Sequence, residues 1–353
     1  MACASTSGSS SSSTESCVLA VLEGHRDRVW HVCWANAGDT IATCGGDRAI
    51  KLWRKTTQGD RKYQCVETLE KTHTKTIRRC GFSRCDSMLA SVSFDATTCV
   101  WERPRGEQQH ELLVTLEGHE SEIKDLCWSQ DGELLATCGR DKSIWIWLKE
   151  IDDQFECLDV LQGHTQDVKS VLFVPGTRAL LSASYDNTVR VWNEHDDEWV
   201  CTQTLDGAYQ GHESTVWGLC CDAEGSRVLS CDAEGMILLW RVVRGDTEIA
   251  LELVSRNMVP TKAALYSVDW SPSGLIATGM ADNSISLLQA EKAEVSPEDP
   301  GASRQVLKLV KEIRGAHDGD VNCVRFNPKD PGVLASAGDD EVVKVWDVGA
   351  LIQ

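Results

Sequence analysis

Three observations predict an all-β ring of seven four-stranded blades. Stretches ending in Trp recur through the 353 residues, at spacings of 48, 46, 45, 48, 48 and 58 positions when one Leu is admitted in place of Trp. A histidine stands 22 residues before an acid in five of these units and 23 before it in another. Between these landmarks lie short runs rich in β-formers, such as VWHVCWA, TIATCGG, AIKLW and QCVETL, separated by Gly, Asp and Asn turns. Repetition also explains why 13 Trp accompany only 5 Phe.

The units follow in order. GGDRAIKLW ends at Trp53 with Asp47 six residues before it and His25 upstream. SFDATTCVW supplies Asp95, Trp101 and His73, and GRDKSIWIW supplies Asp141, Trp147 and His119. SYDNTVRVW brings Asp186, Trp192 and His164, and GDDEVVKVW closes the series with Asp340, Trp346 and His317. A fifth unit, CDAEGMILLW, ends at Trp240 and follows His212, with Glu234 in the acid's place. The sixth, MADNSISLL, keeps Asp282 but has Leu288 for Trp, and Pro260-Thr261 stand where His belongs. Thr43, Ser91, Thr137, Ser182, Ser230, Thr278 and Ser336 each fall four residues before the acid position. This pattern resembles the WD repeat, so the expected fold is a seven-bladed WD-repeat β-propeller. Repetition of His, acid, hydroxyl and Trp in blade after blade argues for a scaffold network rather than a catalytic dyad. A buried carboxylate and imidazole are costly unless every member is bonded, so such a set is kept or lost together.

Closure reads from the ends. Only DVGALIQ follows Trp346, too short for a turn and an outer strand, whereas CVLAVL at residues 17–22 resembles the outer-strand runs. That N-terminal strand is expected to complete the last blade and cover its open edge. Residues 1–16 then form a flexible Ser-rich tail, 17–348 the propeller with a Pro- and acid-rich insertion at about 291–305, and 349–353 a C-terminal tail.

Composition excludes several functions. A net charge of −19 repels phosphate backbones, so direct nucleic-acid binding is not expected. No apolar run approaches a membrane span of ~20 residues. The Ser-rich start lacks a signal peptide's apolar core, which argues against secretion. Sixteen cysteines then point to free thiols in a reducing compartment. Cys33, Cys127 and Cys220 share one blade position, Cys44 and Cys138 another, and Cys17, Cys65, Cys157 and Cys201 a third. Without CxxC spacing they read as small buried apolar residues, with no metal site and no cofactor. GxSxG, GxxxxGK[ST] and HExxH are all absent, so no enzymatic activity is expected.

What remains is a surface. The residue after the first apolar position of each inner strand should project at the central entrance: Trp30, Arg78, Lys124, Lys169, Trp217, Tyr266 and Asn322. The residue before the turn acid joins that rim, giving Phe94, Arg140 and Tyr185, with Gly46 in blade one. Four cations and five aromatics on one face of an acidic protein form the expected binding rim for an acidic or aromatic peptide.

RVWHVCWA, ASVSFDATTCVW, ATCGRDKSIWIW, HTQDVKSV, SASYDNTVRVW, GHESTVWGL and VNCVRFNPKDPGVLAS are similar, in order, to the WD-repeat subunit of the cytosolic iron–sulfur protein assembly (CIA) machinery. The resemblance implies a non-enzymatic adaptor in the cytoplasm, with the nucleus as a second location. It implies three partners: a DUF59-type subunit, a HEAT-repeat scaffold and an iron-only-hydrogenase-like cluster carrier. It further implies delivery of 4Fe–4S clusters to cytosolic and nuclear apoproteins. Arg140, in CGRDKS, matches that family's functionally important top-face arginine. The competing reading is a generic interaction scaffold such as a ubiquitin-ligase substrate receptor. It would require an F-box or a WDxR ending, whereas Trp346-Asp347 is followed by Val348-Gly349.

Overall fold

The runs between the turns form 28 strands among the described residues, which in this computed structural model are 16–56, 63–104, 106–107, 109–150, 153–196, 198–292 and 305–352. The expectations for the Ser-rich start and for most of the 291–305 insertion lie outside them. The strands pair into seven antiparallel four-stranded sheets. Blade one runs outward from Val29–Trp34 through Thr40–Gly45 and Ile50–Lys55 to Tyr63–Leu69. The inner strands of blades two to seven are Ile77–Phe82, Ile123–Trp128, Val168–Phe173, Val216–Cys221, Leu265–Trp270 and Val321–Phe326.

Each second strand is covered on both faces by neighbouring blades, which explains its unbroken small or apolar run. TIATCG, MLASVS and VLASAG are buried at every position. Outer strands such as YQCVETL present most of their residues to solvent. The core is accordingly seven wedges, one at each seam between blades. Ile50, Leu52, Ile77 and Leu89 fill the first seam, and Val189, Val191, Val216 and Leu219 the fourth.

The ring closes as the chain ends suggested. Val18–Leu22 pairs antiparallel with Val343–Asp347, joining Leu22 to Val343, Ala20 to Val345 and Val18 to Trp346. The Asp347 amide donates to the Cys17 carbonyl at 2.8 Å, and the Trp34 indole reaches across to the Arg325 carbonyl at 3.1 Å. One expectation is corrected here. The residues expected as a tail from 349 onward belong largely to a short helix, Val348–Leu351, capped by Asp347. Leu351 is buried against blade seven, so apolar contact holds the segment down.

Candidate functional site

Six blades carry the full network. In blade one, His25 Nδ1 lies 2.9 Å from Asp47 and Nε2 lies 2.7 Å from the Thr43 hydroxyl, which accepts the Trp53 indole N–H at 2.9 Å. The same chain links His73, Asp95, Ser91 and Trp101, and again His119, Asp141, Thr137 and Trp147. It recurs as His164, Asp186, Ser182 and Trp192, and as His317, Asp340, Ser336 and Trp346. Both ring nitrogens are bonded within the blade and the imidazoles are buried. A proton relay to substrate would need one of those nitrogens facing the opening, so these pairs serve the scaffold.

Blade five requires a correction. Glu234 is not the partner of His212; Asp232 is, at 2.8 Å, while Ser230 completes the chain to the His ring and to Trp240. Asp232 also accepts the Glu234 and Met236 amides, as the other acids accept their own turn amides. Aligning the unit on Trp240 displaced the acid by two residues. Blade six lacks the network. Leu288 pairs with Ile276 as Trp346 pairs with Leu334, and the Thr278 hydroxyl is buried without a partner among the described residues. Met280 sulfur accepts the hydroxyls of Ser284 and Ser286 at 3.5 and 3.4 Å.

A backbone irregularity builds the rim. All seven inner strands shift register at the second residue, between Val29 and His31, Ile77 and Arg79, and so on to Val321 and Cys323. The residue left out of the ladder is Trp30, Arg78, Lys124, Lys169, Trp217, Tyr266 or Asn322. A bulge of this kind locally interrupts the ladder, bends the strand and re-aims one side chain. A second set is fixed beside it by seven equivalent backbone bonds, among them Phe94 amide to Thr76 carbonyl, Arg140 to Glu122 and Tyr185 to Asp167. Gly46 holds that place in blade one because a Cβ there would meet the Asp27 carboxylate at 2.5 Å.

Cations lie on aromatic faces along this rim. Arg78 stands 5.1 Å from the Trp30 ring and Lys124 4.2 Å from Phe94. Lys169 is shared by Tyr185 at 4.9 Å and Trp217 at 5.0 Å, and Trp217 meets Tyr266 edge-on at 5.2 Å. Burial, aided by the charge of Lys169, lowers Lys124 to about 8, and burial likewise lowers Lys169 and Arg78. Asn322, also placed at the entrance by the sequence, is buried and donates to the Val29 carbonyl and to Asp339. Arg140 remains 59% exposed and pairs with Glu122 at 3.0 Å, so it stands at the top edge already engaged by one carboxylate.

Sequence reasoning missed the acids of this face. Glu122 pairs with Arg140 and Asp167 with Lys169, while Asp320 and Asp339 give blade seven the opposite sign. Glu122, Asp167 and Asp320 each precede the bulged residue by two positions, a spacing that alternation would have put on the same face. The rim is thus cationic and aromatic from blade two to blade five and acidic at blade seven.

Two of the cysteines meet across a seam that their spacing along the chain does not reveal. Cys33 and Cys80 come from adjacent inner strands, and their sulfurs are 3.9 Å apart. With the His31 ring they form a group whose ligand-type atoms all lie within 4.8 Å of one another. Spacing along the chain hid this because the two cysteines occupy different positions of the repeat.

The WD domain, G-beta repeat family matches residues 16–54, 63–102, 110–147, 155–193, 199–241 and 307–347. Most of the stretch left unmatched is blade six, where His and Trp are missing. A probable cytosolic iron–sulfur protein assembly protein of Chlamydomonas reinhardtii is 40% identical over 348 residues, covering 93% of this chain and 97% of that protein. Similarly named proteins of Kluyveromyces lactis and Caenorhabditis elegans are 40% and 39% identical, covering 93% and 92% of this chain and 97% and 96% of their own lengths.

Proposed function

We propose a scaffold function from one premise: the chain belongs to the WD-repeat family of cytosolic iron–sulfur protein assembly proteins. In this reading it is a cytoplasmic, non-catalytic adaptor that holds other components of a cluster-targeting complex together. The expected neighbours are a DUF59-type subunit, a HEAT-repeat scaffold and an iron-only-hydrogenase-like carrier. The complex would deliver 4Fe–4S clusters to cytosolic and nuclear apoproteins.

The observation that carries the reading is the bulge-built rim. A scaffold needs a surface whose side chains vary while the frame stays constant, and seven bulges on seven equivalent strands supply one. Lys124 and Lys169 lie on aromatic faces and are partly desolvated, so a carboxylate entering there meets cations that water does not fully screen. Arg140 can exchange Glu122 for a partner carboxylate and grip it bidentately. Phe94, Tyr185, Trp217 and Tyr266 add flat apolar contact beside the charge, as interface hot spots do. The acids of blade seven orient such a segment, with its negative end toward blades two to four.

Purification of the chain from cells, wild type beside Arg140→Glu, tests this. Iron–sulfur assembly factors should accompany the wild type and be lost from the variant at unchanged melting temperature. Binding of an acidic, aromatic-containing peptide should weaken by about 2 kcal/mol, the size of a hot-spot loss. Cullin adaptors among the co-purifying proteins, or full retention by a folded Arg140→Glu, would overturn it.

A further inference from the structure

His31 is an unusual residue to bury in this ring. It lies on the wall of the narrow central channel at 4% exposure, at a position where the next blades carry Arg79 and Asp125, which pair with each other at 2.7 Å. Neither of its ring nitrogens meets full hydrogen-bond geometry with a described protein group, and the Cys80 backbone interacts with the ring only weakly. Every other blade histidine with a network has both nitrogens bonded. A buried imidazole left this way forfeits the hydrogen bonds that water would give it.

Two thiols stand beside it. Residues two apart share one face of a strand, so His31 and Cys33 both point from Val29–Trp34 toward the next inner strand. There Cys80 on Ile77–Phe82 completes a group with all ligand-type atoms within 4.8 Å and the two sulfurs 3.9 Å apart. Two thiolates on one tetrahedral Zn²⁺, with Zn–S bonds of ~2.3 Å, would be separated by about 3.8 Å. Fifteen cysteines of the described residues are unbridged, and among them this pair alone is joined by a histidine into such a group.

We propose that His31, Cys33 and Cys80 form a mononuclear Zn²⁺ site at the seam between blades one and two, with its fourth position facing the central channel. Two thiolates, one neutral imidazole and a divalent cation sum to zero charge within the group, and the nearby charged groups are Arg78, Arg79 and Arg325, whose positive charge favours the thiolate forms. The donor set is the nitrogen-and-sulfur set that zinc takes, and a three-ligand arrangement leaves one position open. The cation supplies the partner that the imidazole lacks and ties two blades together across their seam. Zinc enters as Zn²⁺ and two thiol protons leave to solvent, so no oxidant or reductant takes part. The assignment does not rest on the proposed function, although Arg78, Lys124 and Lys169 of the rim line the same channel as His31.

The test uses the full chain, stripped of metal by a chelator under reductant without oxygen. Zn²⁺ is titrated against a chromogenic competitor, and Co²⁺ is added separately as a spectroscopic probe. One equivalent of zinc should bind, and Co²⁺ should show thiolate charge-transfer absorption. Alkylation mapped by mass spectrometry should slow at least tenfold at the half-buried Cys33 when zinc is present, with the exposed Cys85 unaffected. His31→Gln should weaken zinc at least tenfold, and the Cys33→Ser, Cys80→Ser double variant should abolish the cobalt spectrum. Should the double variant misfold, alkylation of the wild type still decides. Substoichiometric zinc, equal alkylation with and without it, or a zinc equivalent that survives both substitutions would overturn the assignment.

Discussion

His212 and Asp232 form the imidazole–carboxylate pair of blade five at 2.8 Å, across 20 positions where the other blades use 22 or 23. Asp232 is 3% exposed, whereas Glu234 faces solvent. Replacing Asp232 with Ala strands a buried histidine and two turn amides, and should cost about 3 kcal/mol. Glu234→Ala should stay within about 0.5 kcal/mol of wild type. Urea unfolding of the two variants separates them, and equal losses would return the role to Glu234.

Blade two should make stability fall toward alkaline pH. Burial alone would lower the pKa of His73, but its bonds to Asp95 and Cys99 prevail and raise it to about 9. A raised histidine stabilises fully below its unfolded pKa of about 6.5, and that contribution is lost as pH climbs through 9. The loss should be about 3 kcal/mol. His73→Gln should flatten the window between about pH 6.5 and 9. An unchanged slope in that variant would assign the dependence elsewhere.

The closing strand sets a truncation limit. Deleting residues 1–14 should leave the melting temperature unchanged, because pairing begins at Val18. Deleting residues 1–22 removes the whole outer strand of blade seven and uncovers Trp346. Several ladder bonds at ~1 kcal/mol each are lost with it. Scanning calorimetry on both truncations should show a large drop for the second alone.

Rim binding should weaken above pH 8. With burial holding Lys124 near 8, the free protein is largely protonated there at pH 7 and largely neutral at pH 9. If the ligand carboxylate requires the ammonium form, affinity should fall about tenfold between those values. Lys124→Arg should remove most of that dependence. Titration of the acidic peptide at pH 7, 8 and 9 reads it directly, and a flat wild-type profile would exclude Lys124 as a contact.

The frame was legible because its signals are local and repeated. Trp53 or Trp192 announces its hydroxyl and acid at fixed offsets, and Leu288 announces a blade without them. Asp232 was misread because the turn's length, not the distance to Trp240, decides which carboxylate reaches the ring. Cys33 and Cys80 were kept apart because neighbouring inner strands bring unlike repeat positions together across a seam. The pairings of Glu122, Asp167 and Asp320 are not legible in the sequence, because the repeat pattern marks only the residue after the first apolar position of the inner strand and the residue before the turn acid. The rim positions themselves could be read from pattern, while their pairings depend on which side chains meet between blades.

Leu22 pairs with Val343, 321 positions later, and this has a consequence for synthesis. At roughly 5–20 residues per second, the interval between these two partners is about 15–65 s on the ribosome. Through that time the first-made strand has no ladder to join, and the inner strand of blade one lacks its neighbour from blade seven. Six blades can stack as they emerge, but the nascent ring stays an open arc with two exposed seams. Such an intermediate invites pairing with other nascent chains. Closure of the ring therefore waits on the last strand to be made, and a chain interrupted before residue 343 would keep both edges open.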